Sequence, residues 1–110
     1  MSIKVISVAK DFSRFPAGRH RDDGPYSGEL FRDNTLCPAL AQGTKVVVDL
    51  DGTLGYGSSF LEEAFGGLVR EGKMTKEVLH KKLELKSSDS SLPMEIWSYI
   101  CGNKSAATHR

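Results

Sequence analysis

Residues 45–70 read KVVVDLDGTLGYGSSFLEEAFGGLVR, and this stretch decides the fold. It opens with a short, β-branched apolar run, which favours a buried strand over a helix. A turn rich in glycine and aspartate follows. Beyond the turn, apolar residues recur at the spacing of one helix face, at Leu61, Ala64, Phe65 and Leu68. The stretch is therefore predicted to form a strand, a loop and a helix that starts near Ser58 and Ser59.

Length and charge exclude several classes of protein. The 110 residues suffice for one domain with one core. A net charge of +1 gives no reason to expect nucleic acid or an anionic membrane as partner. No apolar run approaches the ~20 residues of a membrane span, and the first residues lack the features of a secretion signal. We therefore expect a cytoplasmic protein with Cys37 and Cys101 as free thiols.

Two further strands and three further helices are predicted around the central unit. Residues 3–9 indicate a first strand covered by the rest of the domain, and residues 83–86 alternate like a strand with one wet face. Ser27 is expected to cap a helix that Pro38 kinks or splits and that Gly43 ends.

The two last helices are predicted from their first turns. Thr75 can cap a short helix, and Pro93 suits the first turn of the final one. In that final helix Trp97, Ile100 and Cys101 are expected to share a face.

The alternation of strands and helices predicts an α/β fold. We expect one small domain over residues 3–101, with a mostly parallel or mixed four-stranded sheet and helices packed on it. Residues 102–110 have nothing to bury and are expected to form a disordered tail. The expected core consists of Ile3, Val5, Val8, Leu30, Val46, Val48, Leu50, Leu61, Phe65, Leu68, Leu85 and Trp97.

The central stretch also resembles a known motif, in which a buried strand and a short turn lead into Asp-Ser-Ser-Gly-Leu at a helix start. That motif belongs to the sulfate-transporter and anti-sigma-factor-antagonist domain, or STAS domain. Gly57 and Phe60 stand where the motif has aspartate and glycine. More specifically, the chain is similar to the STAS-like family DUF4325. This similarity extends over GPYSGELFRD at 24–33, the central stretch and KLELKSSDSSLPMEIWSYI at 82–100.

The resemblance implies an adaptor rather than an enzyme. In the antagonist branch of the STAS family, an ATP-binding partner kinase phosphorylates the first serine of the motif, and that serine corresponds to Ser58. STAS-like relatives also occur joined to histidine-kinase-type ATPase regions. The implied partner is therefore a protein, such as an ATP-binding regulator of the histidine-kinase type.

The residues at the helix start allow two interpretations. Ser59 and Glu62 have the spacing of a capping box, which leaves Ser58 one step outside and exposed. A phosphate on Ser58 would be favoured by the helix dipole by about 0.3–1 kcal/mol, whereas Glu62 and Glu63 would oppose it. Alternatively, Ser58 is an ordinary turn serine.

Two glycines inside the predicted helix call for an explanation. Gly66 and Gly67 each cost about 1 kcal/mol relative to alanine in a helix, so another backbone is expected to approach closely. This backbone belongs either to the domain itself or to a partner. In the second case a partner-binding surface is predicted at Tyr56, Gly57, Ser59, Phe60 and Gly67.

A second candidate site lies in the polar loop at residues 11–26. Its arginines could grip a nucleotide or another phosphate ligand beside a helix start, or they could pair with Asp22 and Asp23. The residues of this alternative phosphate site are Arg19, Arg21, Ser27 and Gly28.

Asp49 and Asp51 are the remaining candidates for chemistry. Paired carboxylates can bind Mg²⁺ or transfer protons, but aspartates at a strand end more often bond to turn backbone groups. The segment DLDGT at 49–53 resembles the nucleophile motif of haloacid-dehalogenase phosphatases, yet the chain has no room for the rest of such an enzyme. We therefore predict no catalytic residue, no metal ligands and no cofactor. Exposed strand edges and the glycine face leave room for a homodimer.

Overall fold

The computed structural model describes residues 2–42 and 45–102. The chain begins with strand β1 (Ile3–Ser7), a π-helical turn (Val8–Phe12), a 3-10 turn (Arg21–Asp23) and helix α1 (residues 28–42). Strand β2 (Lys45–Asp49), helix α2 (residues 58–70) and helix α3 (Lys76–Lys82) follow. Strand β3 (Leu83–Lys86) and helix α4 (Ser91–Ile100) complete the fold. Helix α1 joins Gly28–Phe31, Arg32–Leu36 and Cys37–Gln42, and α2 joins Ser58–Leu61, Glu62–Gly66 and Gly67–Arg70. The middle segment of each is π-helical. Gly43 and residues 103–110 of the predicted tail lie outside the described residues.

The sheet has three parallel strands in the order β1-β2-β3. Val5 lies opposite Val47, and Val48 lies opposite Leu85. The prediction of a small α/β domain is confirmed, but the described part of the chain contains three strands instead of four. The other apolar segments of that part are helical because their apolar residues recur every three or four positions.

All the helices pack on one face of this sheet. Side chains alternate between the two faces of a strand, and Val46, Val48 and Leu50 of the central segment are buried under the helices. Ile3 and Val5 were predicted in the core, but each is 65% exposed. Both side chains lie on the other face of the sheet, and no helix among the described residues covers that face.

The core is formed by the helix-facing side of the sheet and the facing sides of all four helices, with α3 contributing Leu79. Phe31 from α1 and Phe60 from α2 are fully buried, with ring centroids 5.9 Å apart. The predicted core residues Leu30, Leu85 and Trp97 are only half-buried. Helix α4 instead buries Ile96, Tyr99 and Ile100, while Cys101 is exposed.

Local signals at the helix starts are confirmed. The hydroxyl of Ser27 accepts a hydrogen bond from the Leu30 N–H at 3.2 Å, and the hydroxyl of Thr75 accepts one from the Val78 N–H at 3.2 Å. Pro38 was predicted to kink or split α1, but the chain stays helical through it to Gln42. The π-helical segment lies just before it, and there Cys37 donates to the Arg32 carbonyl five residues back. This wider turn changes the hydrogen-bond pattern next to a residue that has no N–H to donate.

Candidate functional site

Helix α2 begins two residues earlier than the predicted capping box requires. Gly57 is the N-cap residue, and its carbonyl accepts a hydrogen bond from the Leu61 N–H at 3.2 Å. Ser58 and Ser59 are therefore the first two helical residues, and both are exposed. The predicted cap by Ser59 is wrong, because Ser59 lies inside the first turn of the helix, and the Glu62 carboxylate pairs with Arg19 and Arg70.

The loop between β2 and α2 is fixed at three points. The Tyr56 hydroxyl donates to the Leu50 carbonyl at 2.8 Å, and burial raises the pKa of Tyr56 to about 12. The Asp51 carboxylate accepts hydrogen bonds from the Ser88 N–H at 2.9 Å and from the Ser88 hydroxyl at 3.0 Å. The Leu54 N–H donates to the Arg14 carbonyl at 3.0 Å. The loop thus has a defined shape, although the Leu54 side chain is 72% exposed.

The two aspartates after β2 act on the backbone of the turns. Asp49 Oδ1 accepts from the Asp51 N–H at 3.0 Å. Hydrogen bonds from Ser88 hold the pKa of Asp51 below its ordinary value. Among residues 2–42 and 45–102, no group of three or more histidine, cysteine or carboxylate side chains is arranged to hold a metal ion. The loop and the turn at residues 87–89 together line an open depression of about 440 Å³.

Two residues of the predicted partner-binding surface are buried. Phe60 is fully buried, and its ring lies 6.0 Å from that of Tyr56 and 6.1 Å from that of Phe12. Gly67 faces the interior, where an added Cβ would overlap the Arg32 guanidinium. Internal packing therefore explains both residues, and the exposed part of the predicted surface is reduced to Gly57 and Ser59, beside half-buried Tyr56.

A buried cluster of charges, which sequence reasoning missed, lies between α1 and α2. Arg32, Glu62 and Glu63 are only 4%, 5% and 3% exposed. Arg32 Nη1 donates to Glu63 Oε2 at 2.6 Å and to the Glu63 carbonyl at 3.0 Å. We call the five residues Arg19, Arg32, Glu62, Glu63 and Arg70 the arginine–glutamate cluster.

The remaining two arginines close this cluster from its rim. Arg19 and Arg70 are about one-third exposed, and each bonds both Glu62 and Glu63. Arg70 Nη2 lies 2.9 Å from Glu63 Oε1. Burial alone would raise the pKa of Glu63, but hydrogen bonding to Arg32 and the charges of Arg70 and Arg32 hold it below its ordinary value. Glu63 is therefore held as a carboxylate whose charge is balanced by the arginines around it.

The glycine pair is the sequence signal that could have revealed this cluster. A Cβ at Gly66 would lie 2.9 Å from Glu62 Oε2 and 3.2 Å from the Tyr99 carbonyl. The close approach expected from two mid-helix glycines is thus made by charged side chains and α4 of the same domain.

The four residues of the predicted phosphate site are engaged within the domain and are not brought together in one open site. Arg19 belongs to the cluster, and Arg21 pairs with Glu29 at 3.5 Å and Asp33 at 3.2 Å. Ser27 is fully buried, and a Cβ at Gly28 would lie 2.5 Å from the Phe60 carbonyl, so α2 closes this helix start.

The side chains of Arg19 and Arg21 do not pair with the loop aspartates, which was the predicted alternative. The Asp23 carboxylate accepts from the backbone N–H groups of Arg19 at 3.1 Å and His20 at 2.9 Å. Asp23 therefore shapes the loop backbone, and the guanidinium groups reach carboxylates on the helices.

Comparison with known protein families supports the resemblance to STAS-like domains. The model of the STAS-like domain of unknown function, DUF4325, matches residues 27–92. The chain belongs to this family. No curated protein and no solved structure matches the chain significantly.

The STAS-like match starts at Ser27 and ends at Leu92. It therefore includes α1, the loop, α2 and all of the arginine–glutamate cluster except Arg19. Within the described residues of this STAS-like domain, no helix is both long and apolar enough to cross a membrane.

Proposed function

We propose that this STAS-like domain is a regulatory adaptor that binds a partner protein. The proposed contact is the loop–helix surface, defined as Leu54, Gly57, Ser58 and Ser59. The observation that carries the proposal is an exposed leucine in the loop that leads into two exposed serines at the start of a firmly packed helix. The proposed activity is binding and not catalysis, since the nearby aspartates are engaged with turn backbone groups.

Packing and hydrogen bonds around the loop–helix surface support binding of a partner there. Phe60 and Leu61, which follow the two serines, are buried in the core. The loop that carries Leu54 is held by the hydrogen bonds of Tyr56 and Asp51. A partner that binds a preorganised surface loses less free energy to loop ordering.

Phosphorylation of Ser58 is the proposed switch. A phosphate adds about −1.5 to −2 charge, and it would lie at the positive end of the α2 dipole. Glu62 and Glu63 were expected to repel it, but both point into the domain and are neutralised by three arginines. The fold would therefore tolerate the phosphate, while the charge of the contact surface would change.

The proposed partner class is an ATP-binding regulator of the histidine-kinase type, which the family resemblance implies. Such a partner could both modify Ser58 and read its state. The domain itself needs no cofactor for this role.

Pull-down of partners from the native host tests the proposal. Leu54→Asp should abolish capture of the partner, whereas Met94→Asp, at an equally exposed apolar residue on α4, should retain it. Ser58→Glu should change capture relative to Ser58→Ala. Ser90→Glu, which places the same charge at another exposed helix start, should not. Equal capture by all variants would contradict the loop–helix surface as the binding site. Equal capture by the two Ser58 variants would contradict the proposed switch.

A further inference from the structure

The open depression of about 440 Å³ lies at the carboxyl ends of β2 and β3, between the β2–α2 loop and the turn that follows β3. Three leucines line it, namely buried Leu50, half-buried Leu92 and Leu54, which is 72% exposed. Asp51 and Asp89 also line it. The depression therefore combines apolar walls with two carboxylates, and it shares Leu54 with the proposed loop–helix surface.

The surroundings of this depression carry a net negative charge. Hydrogen bonds from neighbouring serines hold the pKa of Asp51 and the pKa of Asp89 below their ordinary values, so both side chains are carboxylates at neutral pH. Asp49 accepts a hydrogen bond from the Asp51 N–H at 3.0 Å and adds a third carboxylate. Lys86, opposite Asp49 in the strand register, supplies one positive charge nearby. The carboxylates thus outnumber the ammonium group, which favours a cationic group from outside the chain.

Asp89 retains the capacity to bind such a group. Its Oδ1 accepts hydrogen bonds from the Ser91 N–H at 3.0 Å and from the Ser91 hydroxyl at 2.6 Å. Within residues 2–42 and 45–102, no donor bonds Asp89 Oδ2. The two oxygens of Asp51, in contrast, both accept from the Ser88 N–H, at 2.9 and 3.2 Å. A cation in the depression would therefore find its hydrogen-bond acceptor at Asp89 and a second negative charge at Asp51.

A long basic side chain matches both kinds of lining. Arginine and lysine pack an apolar stem on hydrophobic surface and keep a charged head among polar groups. The leucines would contact the stem, and the carboxylates would contact the head. Arginine is favoured over lysine because its planar guanidinium can donate two parallel hydrogen bonds to one carboxylate. A wholly apolar side chain would instead take water from the carboxylates without replacing its hydrogen bonds.

We infer that this depression receives an arginine side chain of the partner protein that binds the loop–helix surface. The inference rests on the proposed function, because Leu54 belongs to both sites. It adds the chemistry of the partner, which is a basic residue next to an apolar residue that packs on Leu54. Charge matching at the edge of a contact sets orientation and specificity more than it sets affinity.

Peptides selected from a phage-displayed random library on the full chain test this inference. The peptides that bind should be enriched in arginine next to an apolar residue, and Leu54→Asp should abolish their binding. In one such peptide, citrulline in place of arginine keeps the shape and removes the charge. This replacement should weaken binding about fivefold, at the upper end for a partly exposed ion pair.

Variants of the aspartates show whether the peptide charge is read in the depression. Asp51→Asn and Asp89→Asn each remove one charge and leave an oxygen to accept the hydrogen bonds of the serines. With both substitutions in one chain, the arginine and citrulline peptides should bind equally. Asp22→Asn, at an exposed residue outside the depression, should keep the fivefold difference. Circular dichroism and the melting temperature identify a double variant that has lost its fold, and Asp89→Asn alone then decides.

The possible failures separate this inference from the proposed function. Binders that need Leu54 but are not enriched in basic residues overturn the inference and leave the loop–helix surface in place. A citrulline effect that persists without the two carboxylates does the same. A library without any binder that depends on Leu54 also overturns the inference, and the pull-down with Leu54→Asp then decides separately whether the surface binds a partner.

Discussion

Gly67 of helix α2 lies against the guanidinium of Arg32, so closely that even a methyl group on Gly67 would overlap Arg32 Nη1. The guanidinium cannot simply move away, because the same nitrogen bonds the carboxylate and the carbonyl of Glu63. A helix-weakening residue thus makes room for a buried charge that joins α1 to α2.

Replacement of Gly67 by alanine should destabilise the domain despite the better helix propensity of alanine. Displacing Arg32 breaks a buried ion pair, at a cost of about 3–5 kcal/mol, while the helix gains about 1 kcal/mol. The expected net loss is about 2–4 kcal/mol in the free energy of unfolding, measured by urea denaturation.

The Arg32→Met background provides the control for this prediction. Without the guanidinium the added methyl group has space, so Gly67→Ala should there cost much less or stabilise slightly. An equal cost of Gly67→Ala in both backgrounds would show that the overlap with Arg32 is not the cause.

Removal of one buried arginine should be far more damaging than removal of an exposed one. Arg32→Met leaves Glu63 without its shortest ion pair and should cost about 3–5 kcal/mol. Arg21→Met removes partly exposed pairs with Glu29 and Asp33 and should cost less than about 1 kcal/mol. Urea denaturation of both variants measures the difference, and similar losses would contradict the structural role of the arginine–glutamate cluster.

Acid should weaken the domain through Glu63. Its pKa is held below the ordinary value of 4.5 by hydrogen bonding to Arg32 and by the charges of Arg70 and Arg32. A carboxyl with a lowered folded-state pKa stabilises the fold fully above its unfolded pKa, and this stabilisation is lost as pH falls through the folded pKa.

The neutral variant Glu63→Gln isolates this effect. It should be less stable than wild type at neutral pH, and the difference in unfolding free energy should shrink as pH falls below about 4.5. Denaturation at a series of pH values measures it. A difference that stays constant with pH would show that Glu63 contributes through packing and not through its charge.

The elements that sequence could predict are those with local signals. The β-branched run of β2, the stripe of α2 and the caps Ser27 and Thr75 depend on residues a few positions apart, and all four are confirmed. The glycine pair in α2 also indicated that other groups approach this helix closely.

The missed features depend on distant pairs and on topology. Arg32 and Glu63 are 31 residues apart, and no local pattern states that they meet. Ile3 and Val5 are as apolar as Val46 and Val48, so composition could not show which strand face the helices cover. The orientation of Glu62 toward the cluster, and not toward Ser59, follows from the same distant partners.

The helix starts provide a last prediction that separates serines that cap from serines that do not. Ser27→Ala removes the hydroxyl that accepts the Leu30 N–H and should cost about 1 kcal/mol of stability. Ser59→Ala should cost little, because Ser59 is the second residue of α2, after the N-cap Gly57, and is exposed. Thr75→Ala, at a second confirmed cap, should behave like Ser27→Ala. Thermal denaturation of the three variants measures these losses. A loss of stability at Ser59 equal to that at Ser27 would instead support the capping box of Ser59 with Glu62, with Ser58 outside the helix.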